Sequence, residues 1–209
     1  MTHPLSRTLC HPQSGQQFTV GKETYELAAQ IGDGAVGIVR KARKLRDDSL
    51  QAIKFLAPDP KYIDESSFDD VAARFKREGE RGSRLDNPYL IRVHKYVPND
   101  EGAAFLGELT NPFLIMDCVA GRTLESYIRR LPKQNPSQAT IDGDLRDLLT
   151  VDITVEKLDL ALQIVQAVEY LHKKKLVHRD IKPANIFICK SDKAPGRFLL
   201  ETVSEPDLA

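Results

Sequence analysis

From Ile31 to Val39 the chain reads Ile-Gly-Asp-Gly-Ala-Val-Gly-Ile-Val, and what flanks these glycines restricts the fold more than any other feature. A Rossmann fingerprint would open a helix here. Instead, the residues after Gly37 alternate as a strand, Ile38-Val39-Arg40-Lys41-Ala42, and a charged turn at Arg46-Asp47-Asp48 leads to another, Gln51-Ala52-Ile53-Lys54-Phe55. A Walker loop is excluded as well, because Ile38-Val39 stands where Lys-Ser or Lys-Thr is required. With Tyr25-Glu26-Leu27 ahead of it, the segment reads as an antiparallel meander with a glycine-rich first turn. Such a turn lets backbone N–H groups approach phosphate oxygens, since no Cβ intervenes. A plain flexible hairpin is the other reading of the same glycines.

The rest of the chain divides into a β-rich part and a helical part. Asp64 to Leu85 has Phe68, Val71, Ala72, Phe75 and Leu85 on one helical face, Asp64 or Ser66 as N-cap, and Asn87-Pro88 to close it. Tyr89 to Val93 and Phe113 to Met116 read as further strands, separated by a loop through Pro98 and Gly102. After Gly121 the pattern turns helical. A short helix is expected over Thr123 to Leu131, then a polar connector over 132–152 with one turn near Leu145 to Leu149. Thr154 to Lys175 reads as a longer helix, with Leu158, Leu162, Val165, Val168 and Leu171 spaced for burial. The resulting division is a mobile segment over 1–17, a β-rich lobe over 18–119 and a partial helical lobe over 120–209.

Charge narrows the partners. Thirty basic and thirty acidic residues cancel, which gives no general attraction to nucleic acid or to an anionic membrane. Apolar runs are short and broken by charges, and Met1-Thr2-His3-Pro4 lacks the layout of a signal peptide, so the chain reads as cytoplasmic with no membrane segment. Cys10, Cys118 and Cys189 show no C-x-x-C spacing, and reduced, structural thiols are expected rather than a disulfide framework or a zinc site.

Two groups of residues carry chemistry. Lys54 lies among apolar strand residues, where an ammonium requires an anion or a ligand, and Glu78 on the following helix is its natural partner. Read singly, Lys54 could point outward and Glu78 could belong to the solvated run Lys76-Arg77-Glu78. The second group is His178-Arg179-Asp180-Ile181-Lys182-Pro183-Ala184-Asn185. An Asp, a Lys and an Asn at these offsets can orient a hydroxyl, neutralise a phosphate and hold a metal, a set suited to phosphoryl transfer.

In this order, the glycine turn, Ala52-Ile53-Lys54, the helix with Arg74 to Glu78, Leu114 to Asp117, and His178 to Asn185 resemble the eukaryotic-type serine/threonine protein kinase family over about Tyr25 to Phe198. The resemblance implies an α+β fold, with an antiparallel β-rich N-lobe containing one main helix, followed by an incomplete helical C-lobe. It also implies transfer of the ATP γ-phosphate to a Ser/Thr hydroxyl of a protein substrate, with Mg2+. Ile31, Gly32, Gly34, Gly37, Val39, Ala52, Lys54, Glu78, Met116, Asp117, Val119 and Phe187 would form the ATP site. Asp180 would orient or deprotonate the acceptor, Lys182 would steady the phosphate, and Asn185 would ligate the metal. Lys182 resembles the Ser/Thr branch, Arg179 resembles kinases switched on by activation-loop phosphorylation, and His178 is assigned to packing.

The pattern departs from the family in two places. Gly79 and Gly82 stand where helix formers are usual, and each weakens a helix by about 1 kcal/mol relative to Ala, so a mobile helix is expected. After Cys189 a long polar turn over Lys190 to Arg197 is expected, then a strand at Phe198-Leu199-Leu200. No Asp-Phe-Gly occurs, and Asp207 is a displaced substitute. The expectation is a kinase cut short before that motif. A non-catalytic nucleotide- or partner-binding pseudokinase and a frame-shifted kinase fragment are the alternatives.

Overall fold

In the computed structural model the described residues are 12–34, 36–57, 68–98, 104–105, 108–109, 111–129, 155–191 and 194–200. The expected caps at Asp64 and Ser66, the connector over 132–152, the lead-in before residue 12 and Asp207 lie outside them. The chain forms two compact units, one built on 1–86 and 91–119, the other on 87–90 and 120–201.

Among the described residues, the first unit is a six-stranded antiparallel sheet with one helix. Its strands are β1 (Gln17–Val20), β2 (Glu23–Asp33), β3 (Gly37–Lys44), β4 (Leu50–Leu56), β5 (Val93–Val97) and β8 (Phe113–Asp117), in the order β1-β2-β3-β4-β8-β5. A separate two-stranded hairpin, β6 (Ala104–Phe105) and β7 (Glu108–Leu109), interrupts the expected loop. Strand alternation sorts the main sheet into two faces. Leu27, Ala42, Ile53, Phe55, Phe113 and Ile115 join Phe18 and Tyr25 in the buried core. Phe18 stacks on Tyr25 and meets the Phe113 ring edge-on. Alternate residues, among them Lys54 and Leu114, face the opposite side.

Helix α1 (Phe68–Gly82) buries Val71, Phe75, Gly79 and Gly82, a stripe at helical spacing that continues into the two glycines. β5 starts at Val93 rather than Tyr89. Asn87 explains the shift: its side-chain oxygen accepts from the Tyr89 N–H at 2.8 Å and its carbonyl from the Leu90 N–H at 3.1 Å, which holds Tyr89 and Leu90 in a turn.

The second unit contains β9 (Gly121–Thr123), α2 (Leu124–Ile128), α3 (Val155–Lys173), a 3₁₀ turn (Pro183–Asn185), β10 (Ile186–Ser191) and β11 (Ala194–Leu200). The Thr123 hydroxyl caps α2 by accepting the Ser126 N–H at 3.1 Å. β10 is the central strand between β9 and β11. The long polar turn expected over Lys190 to Arg197 is instead strand on both sides, with Cys189 paired to Arg197 and Ser191 to Ala194 across a bulge. The α3 face also differs from expectation. Leu158, Leu162 and Val165 are exposed, whereas Gln163, Ala167 and Leu171 are buried. Leu158, Leu162, Ile164, Val165, Val168 and Leu171 are spread around most of the helix, so apolar spacing does not select a side. Among the described residues no helix is long and apolar enough to cross a membrane.

Candidate active site

The candidate residues fall into two groups, one in each unit. In the first, strand register aligns most of them. Gly32 pairs with Val39, Val39 with Lys54, Lys54 with Leu114, and Leu114 with Tyr96, a single row across β2, β3, β4, β8 and β5. Cross-strand partners share a face, so Val39 and Lys54 project to the same side. Ala52 and Met116, paired to each other two residues along, join them there, and both are buried.

Lys54 meets Glu78 of α1, its Nζ donating to Oε1 at 2.9 Å, with the two side chains 16% and 18% exposed. The inward reading of Lys54 is therefore correct. Burial of this kind is sustained only by a partner charge, because an unpaired ammonium would lose hydration without compensation.

The glycine turn closes with the Gly34 N–H donating to the Gly37 carbonyl at 3.0 Å. Its glycines are not equivalent. A Cβ at Gly37 would collide with the Phe55 carbonyl of β4, whereas one at Gly34 would meet nothing within 4 Å and one at Gly32 would make ordinary contact with Val39. Gly37 is thus required by the sheet itself, and the other two are not. Ile31 is exposed.

At the end of β8, the Asp117 N–H donates to the Arg92 carbonyl at 3.0 Å, and its carboxylate lies 2.7 Å from His94 Nε2. Val119 follows, half-buried. The His94–Asp117 contact was not legible from spacing. It follows from the antiparallel pairing of β5 with β8, which a sequence reader could reconstruct only with the register in hand.

In the second unit, α3 ends with Lys175 in the left-handed region at φ 58°, and the Leu176 N–H turns back to the Leu171 carbonyl at 2.9 Å. His178 is buried at 4% exposure. Arg179 has φ 60°, and the Asp180 N–H reaches back over it to the His178 carbonyl at 2.9 Å, a γ-turn that a side-chain-bearing residue adopts only under local constraint. His178 Nδ1 lies 3.3 Å from the same N–H. His178 thus packs, as expected, and also helps to orient the backbone of Asp180.

The turn delivers three functional groups to one point. Lys182 Nζ and Asn185 Nδ2 both donate to Asp180 Oδ2 at 2.8 Å. Asn185 Nδ2 also donates to the Asp180 carbonyl at 2.9 Å, which leaves Oδ1 as the oxygen of that amide. The hydrogen bond from Lys182 holds the Asp180 carboxyl below the usual range; partial burial opposes the shift, and the Asn185 amide and nearby positive charge reinforce it. Phe187, half-buried on β10, pairs with Thr123 of β9.

Residues 25–195 match the protein kinase domain family. PknF of Mycobacterium tuberculosis is 30% identical over 177 residues, 84% of this chain and 31% of the relative. PrkC of Bacillus subtilis is 30% identical over 164 residues, 78% of this chain and 20% of the relative. Both are serine/threonine-protein kinases, and the chain thus spans a third of their length or less. A crystal structure of the M. tuberculosis PknI kinase domain is similar at a TM-score of 0.57 and 25% identity, covering 91% of this chain and 60% of that one. The ordered motifs, the antiparallel sheet with helix α1, and these matches together establish that the chain belongs to the eukaryotic-type serine/threonine protein kinase family.

Proposed function

We propose that the chain binds ATP through its first unit and directs the γ-phosphate to a Ser/Thr hydroxyl of a protein substrate through its second. The observation that carries this reading is the convergence of Lys182 and Asn185 on Asp180 Oδ2. A carboxylate fixed by two donors on one oxygen has its other oxygen to orient a hydroxyl. Its lowered proton affinity suits orientation better than early deprotonation. In a loose phosphoryl-transfer transition state the acceptor needs little deprotonation before the bond to phosphorus forms, and Asp180 Oδ1 takes the proton late. Lys182 offsets the negative charge of the phosphoryl group in transit.

On the nucleotide side, Lys54 would hold the α- and β-phosphates while Glu78 fixes its ammonium. Gly32, Gly34 and Gly37 would let phosphate oxygens approach the backbone of the turn without a Cβ in the way, beneath Ile31. The space at Gly34 supports this role, since the protein itself does not need a glycine there. Val39, Ala52 and Met116 share the Lys54 face and would line the adenine site with Asp117 and Val119. Asn185 Oδ1 is a hard oxygen suited to Mg2+, which when bound would offset charge on the phosphates. A cytoplasmic location would supply the ATP that this reading requires.

A second reading, a pseudokinase that binds a nucleotide or partner without turnover, is favoured by one observation: Asp-Phe-Gly does not occur in the sequence. The nucleotide site common to both is tested by thermal unfolding with and without ATP and magnesium. ATP at about a hundredfold excess over its Kd should stabilise the wild type by about 2.7 kcal/mol and Lys54→Met by much less. Equal midpoints with and without ATP in the wild type refute it.

A further inference from the structure

Gly79 follows Glu78 directly, is buried, and is a poor helix former in mid-helix. The sheet beneath it explains its presence. A Cβ there would overlap the Leu114 side chain and lie 2.8 Å from Tyr96 Cβ and 2.9 Å from its ring. Leu114 and Tyr96 are the next two members of the row that contains Lys54. The helix therefore rests, through a residue without a side chain, on the same row of the sheet whose lysine its preceding residue reaches at 2.9 Å.

We propose that Gly79 is a positioning residue: its missing Cβ sets the distance of α1 from the sheet, and so the reach of Glu78 to Lys54. Any side chain at 79 must lift the helix off Leu114 and Tyr96 or rotate it, and either movement carries the Glu78 carboxylate away from Lys54. Interiors packed to crystal-like density transmit such displacement rather than absorb it. The consequence for nucleotide binding rests on the reading proposed above, whereas the geometric claim does not.

Brief acylation of the full chain with an N-hydroxysuccinimide ester, followed by mass spectrometry, reads the state of Lys54 without any nucleotide. Losing an ion-pair partner lowers an ammonium pKa, and one unit gives about tenfold more free amine. Glu78→Gln should therefore raise the Lys54 rate about tenfold relative to the exposed Lys173, Gly79→Ala should raise it to a similar extent, and combining the two should add little. Glu80→Ala, a change to alanine at an exposed neighbour on the same helix, should leave the rate unchanged. If Gly79→Ala lowers the melting midpoint but leaves Lys54 at the wild-type rate, Gly79 is merely structural and the proposal is overturned. Should Gly79→Ala fail to fold, Gly79→Ala with Leu114→Ala relieves one contact and keeps the Tyr96 clash. A raised rate there supports the proposal, and a wild-type rate overturns it. ATP with magnesium should protect Lys54 in the wild type; failure of that arm alone sinks the nucleotide reading and leaves the Gly79 result standing.

Discussion

Removing Lys54 and Glu78 singly and together measures how much of the first unit depends on their pairing. Glu78→Gln keeps shape and an acceptor oxygen but discards the charge, and Lys54→Met discards the ammonium at similar length. At the observed 2.9 Å separation, an effective dielectric near 20 gives an attraction of about 6 kcal/mol. Desolvation of the two ions offsets several kcal/mol of this. The remaining coupling should be about 2 kcal/mol, above the roughly 0.2–1 kcal/mol of fully exposed pairs. Each single change should thus cost about 2–3 kcal/mol, because it removes an opposite charge from a partly buried ion, and the double change should cost little more than either. Hydrogen exchange of α1 peptides is the suitable assay, since it reports local opening, whereas denaturation of a chain with two units need not be two-state. The coupling should survive about 0.5 M salt, where exposed pairs are largely screened. A coupling below about 0.5 kcal/mol, or one abolished by salt, would refute a partly buried pair.

Three further outcomes follow from the geometry. Gly37→Ala should cost about 2 kcal/mol or more through its clash with the β4 backbone, while Gly34→Ala should leave the melting midpoint unchanged; equal effects would contradict the distinction drawn between them. The carboxyl of Asp180 is depressed in the folded chain, so the stability it contributes is present above its unfolded value of about 3.9 and is lost as pH falls through the lower folded value. Lys182→Met should move its carboxyl titration, followed by carbon NMR, upward toward the usual range, and no movement would contradict the role given to the ammonium. On α3, Leu171→Ala should cost about 2–5 kcal/mol and Leu162→Ala within about 0.5 kcal/mol, as read by hydrogen exchange; comparably large costs for both would return the buried face to the one expected from apolar spacing.

Much of the first unit was legible because its signals are local. Alternation through Ile38 to Ala42 and Gln51 to Phe55 marks β3 and β4, and the glycine turn between strands excludes the two helix-opening phosphate loops. Lys54 and Glu78 were legible as a pair because a lysine in an apolar strand demands an anion. What helix propensity could not show is why Gly79 is there: propensity describes an isolated helix, whereas here the sheet at Leu114 and Tyr96 leaves no room for a Cβ. Its position on the Val71–Phe75 stripe was the available clue. The α3 face, the start of β5 and the β10–β11 hairpin depend on contacts that no local pattern encodes. In the second unit, the order Asp180, Lys182, Asn185 announced the chemistry, but their meeting on a single carboxylate oxygen depends on the γ-turn at Arg179, a conformation no propensity would assign to arginine.

The central claim is the proposal that Asp180, held by Lys182 and Asn185, orients the acceptor hydroxyl in phosphoryl transfer. Transfer of label from γ-radiolabelled ATP to a generic basic protein, with and without magnesium, tests it most directly. Magnesium-dependent transfer should appear in the wild type and fall by about a hundredfold or more in Asp180→Ala. Transfer that Asp180→Ala leaves intact, or no transfer at all from the wild type, would contradict it.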